Sequence, residues 1–410
     1  MGSEHRALRE RQDVQLLTSA RAGEMLRLGL AHKGELRSWS VHKVHHRPGA
    51  GVSVGYAVIL RVGDIDHDLY IVASTSVVNE DALIENDGRT LRLGATRVHI
   101  WEYPFDPQLP ALEQACTPML LEETLGEPVD IELIGYRPTR RAVVKIERQH
   151  SADVLYAKVL PPKAQDAFER RLHMVGEQLP APRIVRSDPG MVVMTAVSGV
   201  PLSRILAGFE SGSARAYTSV LDSLETALDR LPLDALTLPR RPAWAQRARH
   251  YGAAAAVALP QHERRCIEVA RGIEESLDRA DLGALVVTHG DFYEANVYID
   301  PQTWKVSGIL DVDSLGPGYR VFDWACLLGH LSVLPRLCPQ RYEHLGELVE
   351  CWRDDLCEFM DPVALCAATA GVVLSLVAGA KRTRKRRSPE AEHRLSVAEG
   401  WLSQAYDYAR

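Results

Sequence analysis

Three short apolar runs around one polar loop constrain the fold of this chain more than any other feature of its sequence. The runs are Leu285–Thr288, Val297–Ile299 and Val306–Leu310, and they are rich in the Val, Ile and Leu residues typical of strands. The loop His289–Asn296 lies between the first two runs, and Asp311 directly follows the third. The pattern predicts that several polar side chains are presented on loops at the ends of short strands.

Asp291, Asn296 and Asp311 are the residues in these loops that suit phosphoryl transfer. That reaction needs a carboxylate beside the attacking hydroxyl, oxygen ligands for Mg, and a cation on the phosphates. We expect Asp291 to orient the acceptor hydroxyl and take its proton. We expect Asn296 and Asp311 to bind Mg, a hard cation that prefers oxygen ligands. The spacing favours an enzyme that uses Mg-ATP to phosphorylate a hydroxyl.

The segment from His289 to Val297 closely resembles the catalytic loop of the aminoglycoside phosphotransferase family, whose relatives include choline kinases and maltokinases. In that family a His-Gly-Asp triplet, four intervening residues and an Asn are followed by a second Asp after an Ile/Leu-rich strand. The stretch Ser307–Asp311 matches this second element. The resemblance implies that Asp311, rather than Asp313, is the metal ligand.

Further along, an Asp-Trp-Ala triplet that begins at Asp323 is similar to the family's Asp-Leu-Ala element. The resemblance implies structural roles for Asp323 and for His289. The Gly-Asp-Pro that usually precedes this element is replaced by Gly-Pro-Gly at 316–318, which affects the expected loop geometry rather than the chemistry. Any one of these residues is common in turns, but their combined register is far more restrictive than a single triplet.

The resemblance implies an α+β, protein-kinase-like two-lobed fold with an additional α/β cap at the N-terminus. We expect the cap at 1–127, a β-rich small lobe that binds the nucleotide at 128–197, and a mainly helical large lobe at 198–410. The succession of strand-rich and helix-rich patterns along the chain agrees with this plan. The cap exceeds what the basic fold requires, and maltokinases and similar sugar kinases carry such a cap.

The pattern from Val14 to about Leu125 predicts one short helix mixed with strands. Val52–Val62 and Asp68–Ser76 form a predicted hairpin around a five-residue turn, and Leu91–Tyr103 is a further predicted strand. The first hairpin strand is apolar on both faces, which is typical of strands that are covered on both sides. Since the segment 123–129 lacks a flexible Ser/Gly run, we expect the cap to pack against the small lobe.

Two strand lysines, Lys145 and Lys158, are candidates for the cation that a kinase places on the nucleotide phosphates. Lys158 is preferred because it lies in the third predicted strand of the small lobe and precedes a predicted helix that carries its partner Glu169. Lys145 is interpreted as a solvent-facing strand residue. Backbone groups around Thr195 and Val197 are expected to bind the adenine edge of ATP.

The loop Gly135–Arg141, between the first two predicted strands of the small lobe, lacks the glycine-rich GxGxxG of protein kinases. The family that the chain resembles commonly lacks this motif as well. The arginines of the loop either contact phosphates or belong to a solvated turn, and the sequence leaves both interpretations open.

Composition argues against several other classes of protein. The formal net charge of −6 disfavours a general nucleic-acid binder, and seven cysteines without metal-ligand spacing indicate reduced thiols in a cytoplasmic protein. The uncharged run Val363–Ala380, followed by a basic stretch at 381–387, is similar to a membrane span. Its small residues contribute little insertion energy, so we interpret it as a helix buried in the large lobe, with the basic stretch as its solvated end.

The resemblance of the cap to that of maltokinases favours a sugar or amino sugar as the small-molecule hydroxyl acceptor. An aminoglycoside is the alternative, although residues 201–285 contain no acidic cluster of the kind that attracts a polycationic substrate. Glu294 is the one carboxylate that we expect near the acceptor, and an exposed loop residue is the alternative interpretation. A pseudokinase or regulatory binding protein is less favoured, because the base, the metal ligands and a lysine are all present.

Overall fold

The computed structural model describes residues 2–47, 51–151, 153–209, 214–380 and 389–410. The chain forms two compact units. The first comprises the residues up to 169 together with 184–196, and the second comprises 170–183 together with the residues from 197 onward. The predicted cap, 1–127, lies wholly within the first unit, and its boundary with the small lobe stays a prediction.

The first unit is built on two antiparallel sheets. Its strands are β1 (Glu35–Arg47), β2 (Gly51–Val62), β3 (Ile65–Ser74), β4 (Arg89–Leu93), β5 (Thr96–Glu102), β6 (Val129–Arg137), β7 (Arg141–Arg148), β8 (Val154–Val159), β9 (Ile184–Asp188) and β10 (Met191–Thr195). Its helices are α1 (Gly2–Thr18), α2 (Arg21–Leu30), α3 (Glu80–Glu85), α4 (Leu112–Cys116), α5 (Pro118–Leu125) and the first half of α6 (Pro162–Gly176). The strand orders are β1-β2-β3-β5-β4 and β6-β7-β8-β10-β9.

The predicted hairpin of the cap is confirmed, but its turn is shorter than expected. Strands β2 and β3 pair from Ser53↔Ser74 to Val62↔Ile65, so the turn consists of Gly63 and Asp64 alone. A two-residue hairpin turn favours a positive φ at its first central position, and Gly63 has a φ of 60°.

Two other predictions for the cap are wrong. The stretch 91–103, predicted as one strand, contains the turn of a second hairpin. Gly94 (φ 63°) reverses the chain there between β4 and β5. The cap also contains five helices within its described residues rather than one short helix. Helix α2 buries Met25 and Leu26, but its glycines lower its helix propensity and conceal the pattern in the sequence.

One apolar core joins the cap to the small-lobe strands. Val72 and Trp101, from the first sheet, belong to the same buried cluster as Val144 and Val193, from the second. Helix α5 is capped by Gly126, whose N–H donates to the carbonyl of Glu122 (2.8 Å), and β6 begins three residues later. The predicted packing of the cap against the small lobe is therefore confirmed.

The second unit is mainly helical. Its strands are β11 (Val200–Pro201), β12 (Leu285–Thr288), β13 (Val297–Ile299), β14 (Val306–Ile309) and β15 (Gly316–Tyr319), in two small sheets ordered β11-β13-β14 and β12-β15. Its α-helices after α6 are α7 (Leu202–Leu206), α8 (Ala214–Asp229), α9 (Ala248–Ala258), α10 (Glu263–Leu277), α11 (Arg320–Leu331), α12 (Leu334–Leu337), α13 (Leu345–Cys357), α14 (Pro362–Val377) and α15 (Pro389–Tyr408). Short 3₁₀ helices occur at 233–237, 245–247, 260–262 and 312–314.

The uncharged run that is similar to a membrane span forms the central helix α14, which packs against α9, α10, α11 and α15. The carboxylate of Asp361 caps the first turn of α14 by accepting the N–H of Val363 (2.8 Å), and twelve of the sixteen residues of the helix are buried. None of the described helices is long and apolar enough to cross a membrane. The basic stretch at 381–387 lies outside the described residues. The sheet-rich first unit and helical second unit confirm the predicted α+β class.

We predict that a fragment starting at Glu127 is insoluble or markedly less stable than the whole chain. Deleting the cap removes its residues from the common core and exposes buried side chains such as Val144 and Val193. Size-exclusion chromatography and urea denaturation measure the outcome. A soluble fragment with the stability of the whole chain would contradict the shared core.

Two substitutions in helix α5 provide a matched control for this prediction. Leu121→Ala opens a cavity in the common core and should lower the free energy of unfolding by about 2–5 kcal/mol. Met119→Ala changes an exposed side chain of the same helix and should alter it by less than about 0.5 kcal/mol.

Candidate active site

The loop between β12 and β13 is anchored by one buried carboxylate. Asp323, in the first turn of α11, accepts hydrogen bonds from the N–H of His289 (3.0 Å) and the N–H of Gly290 (2.8 Å). Gly290 has a φ of 79°, and a Cβ on it would lie 2.8 Å from Ser314. The first two residues of the loop are therefore fixed by charge-assisted hydrogen bonds and by a position that favours glycine.

His289 connects this loop to the strand that leads to Asp311. Its side chain is fully buried, and its Nδ1 accepts the N–H of Asp291 (3.3 Å). Its Nε2 therefore carries the proton and donates to the carbonyl of Leu310 (2.9 Å). The structural role expected for His289 is to hold Asp291 at a fixed position relative to the residue before Asp311.

Asn296 forms a second connection between the same two segments. Its Nδ2 donates to the carbonyl of Asp291 (2.9 Å), and its own carbonyl accepts the N–H of Leu310 (2.8 Å). Because Nδ2 is used inside the loop, Oδ1 is the amide atom that remains to serve as a ligand. Asp291, Asn296 and Asp311 are thus brought together by hydrogen bonds among their backbone and neighbours.

Asp311 has a left-handed backbone, with φ 55° and ψ 51°. Aspartate tolerates this conformation better than most residues, because its short polar side chain can form local hydrogen bonds. Two arginines hold the segment that follows: Arg241 donates to the carbonyl of Asp313 (2.6 Å), and Arg171 donates to the carbonyl of Leu315 (3.1 Å). The turn that presents the Asp311 carboxylate is therefore supported from two separate elements.

The phenol of Tyr293 is influenced by the negative charges of three carboxylates. Burial raises the pKa of Tyr293, and the negative charges of Asp291, Glu294 and Asp311 raise it further. The ring of Tyr293 stacks on His330, with centroids 4.2 Å apart. A concentration of negative charge of this kind favours a cationic ligand.

Glu294 is 6% exposed, so the alternative interpretation as an exposed loop residue is wrong. Burial and the nearby Asp291 raise the pKa of Glu294 to about 7. Within the described part of the chain, its buried Oε2 has no hydrogen-bond partner. Since a buried polar atom is normally paired, this oxygen is available to a ligand that enters the loop.

The donor set suits Mg rather than a metal held by protein ligands alone. In the parts of the chain that the structure describes, no group of three or more His, Cys, Asp and Glu side chains is arranged to hold a metal ion. Mg typically takes only one or two protein oxygens and completes its shell with phosphates and water. Asn296 Oδ1 and the Asp311 carboxylate meet that requirement.

The lysine predicted for the nucleotide lies inside the first unit. Lys158, on β8, is buried, and its ammonium lies 4.1 Å from the centroid of the Phe168 ring. Oε1 of Glu169 accepts hydrogen bonds from Gln165 (2.8 Å) and Ser187 (2.5 Å). The role of Lys158 and its pairing with Glu169 stay predictions.

Lys145, the alternative lysine, forms an ion pair with Glu147 on the same strand. Its side chain is partly exposed. The ion pair with Glu147 explains the position of Lys145 without a nucleotide.

The segment expected to bind adenine joins the two units. Thr195 is the last residue of β10, and Val197 is the first residue of the second unit after it. Val197 packs closely on Gly308, where a Cβ would approach to 2.6 Å. The contribution of these backbone groups to adenine binding stays a prediction.

Several residues of the site were not predicted. Tyr293, His330 and the two supporting arginines act through contacts with residues far away in the sequence. Cys326, one turn after Asp323, places its buried thiol 4.0 Å from Oδ1 of Asp291. In the sequence, the only signal for this contact was the spacing of three residues between Asp323 and Cys326 on one helix.

A family model described as the phosphotransferase enzyme family matches residues 133–348, which is more than half of the chain. The chain belongs to this family. The match includes the catalytic loop, Asp311 and Asp323, and it confirms the resemblance noted from the sequence. The chain is accordingly an enzyme, a phosphotransferase with an alcohol group as acceptor.

One relative found by sequence agrees with this assignment. An aminoglycoside 3′-phosphotransferase of Streptomyces fradiae is 30% identical over 196 residues, which is 44% of this chain and 71% of the relative. A solved structure of a thermostable mutant of aminoglycoside phosphotransferase APH(4)-Ia, in a ternary complex with AMP-PNP and hygromycin B, is 12% identical with a TM-score of 0.47, covering 70% of this chain and 97% of that one. A choline kinase from Cryptosporidium parvum Iowa II is 11% identical with a TM-score of 0.45, covering 72% of this chain and 94% of that one.

We predict that Asp323→Asn lowers the free energy of unfolding by about 1–3 kcal/mol, because an amide oxygen replaces a carboxylate that accepts two buried N–H groups. Urea denaturation measures the change. Arg320 forms ion pairs with both Asp323 (3.8 Å) and the exposed Asp229 (3.4 Å), so Asp229→Asn is the matched control and should matter little. Equal effects of the two substitutions would refute the anchoring role of Asp323.

Proposed function

We propose that this phosphotransferase transfers the γ-phosphate of Mg-ATP to a hydroxyl of a sugar, an amino sugar or an aminoglycoside, with Asp291 as its catalytic base. The observation that carries the proposal is the hydrogen-bonded connection of His289, Asn296 and Leu310, which brings Asp291 and Asp311 together. The arrangement supports the proposal because phosphoryl transfer requires a base and metal ligands close together.

Each residue of the loop has a separate task in this scheme. Mg-ATP, when bound, supplies the transferable phosphoryl group and the cation that neutralises its charge. Asn296 Oδ1 and the Asp311 carboxylate would hold the metal. The Asp291 carboxylate orients the acceptor hydroxyl and accepts its proton. Tyr293 and His330 form the stacked wall that keeps this loop in place.

In the first unit, Lys158 is the proposed partner of the nucleotide phosphates and Glu169 the carboxylate that orients it. Both lie on elements with many buried neighbours, which suits residues that must keep one position. Backbone groups of Thr195 and Val197 are the proposed adenine contacts.

The amino-bearing acceptors are favoured within this proposal by Glu294. Its buried, unpaired oxygen lies beside Asp291, where it can accept a hydrogen bond from an ammonium or hydroxyl group of the acceptor. An aminoglycoside fits this observation at least as well as a sugar, and the Streptomyces fradiae relative is an aminoglycoside 3′-phosphotransferase.

The acceptor class can be tested by measuring ATP consumption against a panel of neutral sugars, amino sugars and aminoglycosides. We expect turnover with an amino-bearing acceptor, and Glu294→Gln should raise the KM for that acceptor more than the KM for ATP. Turnover restricted to neutral sugars would refute the role given to Glu294. Absence of ATP-dependent phosphorylation across a broad panel would argue against the proposed reaction.

We predict that Asp291→Ala lowers kcat by a factor on the order of a hundred or more, while nucleotide affinity stays nearly unchanged. The reason is that Asp291 contacts the acceptor hydroxyl in this scheme rather than ATP. Steady-state kinetics and calorimetry with an ATP analogue measure the two effects. Wild-type turnover in the variant would remove Asp291 from the role of base.

We predict that Asp311→Asn and Asn296→Ala both weaken Mg-dependent ATP binding, because each removes an oxygen ligand or its charge. Calorimetry with ATP, in the presence and absence of Mg, measures the effect separately from turnover. If both variants keep the wild-type dependence on Mg, the metal ligands would instead be Asp313 or Glu294.

A further inference from the structure

A buried carboxylate of the cap reaches the turn between β6 and β7. Asp106 follows β5 and is only 3% exposed. Its Oδ2 accepts hydrogen bonds from the hydroxyl of Tyr136 (2.7 Å) and from the N–H of Thr139 (2.8 Å). Its Oδ1 accepts the N–H of Gln108 (2.9 Å), so the carboxylate is fixed within its own segment as well.

The turn that Asp106 holds has a strained backbone. Thr139 has a φ of 63°, in the left-handed region that β-branched residues rarely adopt. The N–H of Arg140 donates to the carbonyl of Arg137 (3.0 Å), so the turn is tight at this point. Such strain persists only where the surroundings impose it, and it occurs most often at functional sites.

Tyr136 supports the same contact from the side. Its hydroxyl, which donates to Asp106, also accepts the indole N–H of Trp101 (3.2 Å). The Tyr136 ring lies 5.4 Å from that of Tyr103. Trp101 and Asp106 both belong to the cap, so two cap side chains form hydrogen bonds with Tyr136 close to the end of β6.

We propose that Asp106 is a positioning residue for the nucleotide: through Tyr136 and Thr139 the cap fixes the β6–β7 turn in the conformation that receives the ATP phosphates. The inference rests on the proposed function, since it takes the first unit as the nucleotide-binding one. In a glycine-rich phosphate loop, glycines supply unusual backbone conformations at little steric cost. Residues 136–141 contain no glycine, and the buried carboxylate imposes the left-handed conformation instead.

The turn also concentrates positive charge. Arg137, Arg140 and Arg141 lie at its two ends, where β6 stops and β7 starts. Fixing the turn reduces the entropy that these residues lose when they meet an anion, so nucleotide affinity depends on the cap contact. The cap thereby acquires a role in binding as well as in stability.

The test compares variants of the contact with a variant beside it. Tyr136→Phe and Asp106→Asn each weaken the hold on the turn. Tyr103→Phe is the matched control, because it also removes a tyrosine hydroxyl from this group of aromatic side chains. That hydroxyl donates to Cys116 (2.9 Å) and not to Asp106. Calorimetry with a non-hydrolysable ATP analogue gives Kd, steady-state kinetics give the KM for ATP and for the acceptor, and thermal denaturation reports folding.

We expect Tyr136→Phe and Asp106→Asn to raise the Kd of the analogue roughly tenfold, the loss typical of one hydrogen bond to a charged group, with the acceptor KM unchanged. Tyr103→Phe should bind the analogue like the wild type. Adding Thr139→Gly to Asp106→Asn should recover part of the affinity, because glycine adopts a φ of 63° without a restraining partner. A purely structural role for Asp106 predicts no such recovery.

The outcomes separate this inference from the proposed function. A wild-type protein that binds no ATP analogue would overturn both. If the wild type binds and folded Tyr136→Phe and Asp106→Asn bind equally well, the positioning role alone is overturned. Should Asp106→Asn fail to fold, Tyr136→Phe decides, because it changes a single hydroxyl.

Discussion

Two neighbouring N–H groups donate to one buried carboxylate in the second unit, and the polar site is built outward from that contact. Asp323 fixes His289 and Gly290. The position of His289 then orients the hydrogen bond from its imidazole to the Leu310 carbonyl. This hydrogen bond holds Asp291 close to Asp311. Because each hydrogen bond in such a chain orients the next, the geometry is more rigid than any single contact would make it.

The site separates the groups that hold it together from the groups that remain for ligands. Backbone amides, one imidazole and one carboxamide provide the framework, whereas the Asp291, Glu294 and Asp311 carboxylates contribute concentrated negative charge around Tyr293. Grouped carboxylates repel one another, so a metal ion or an ammonium group that enters among them relieves an existing cost. In the proposed scheme, a cation held by these oxygens would allow a chain with a net charge of −6 to bind an anionic nucleotide.

The sequence predicted the parts of this protein that depend on local spacing. The loop from His289 to Asn296, its flanking strands and the α+β class follow from residues close together in the chain. Contacts between distant positions left no comparable pattern: Arg171 meets the Leu315 carbonyl across 144 residues, and Asp106 meets Thr139 across 33. The turn within 91–103 was not predicted, because its only residues, Gly94 and Ala95, form a very short break in an otherwise β-rich run. Long-range partners of this kind are set by packing, which local propensity does not encode.

The core that Val72 and Trp101 share with Val144 and Val193 has a consequence for the way the first unit opens. Neither sheet can expose its inner face without stripping the cover from the other, so the two sheets should exchange their protected amide hydrogens as a single cooperative group. A substitution that destabilises the N-terminal hairpins would then also destabilise the strand that carries Lys158. The reason is that the two sheets unfold together, so no chain of contacts between the two positions is needed. The segment that precedes the matched family region is in this sense part of the same folding unit as strands β6 to β10.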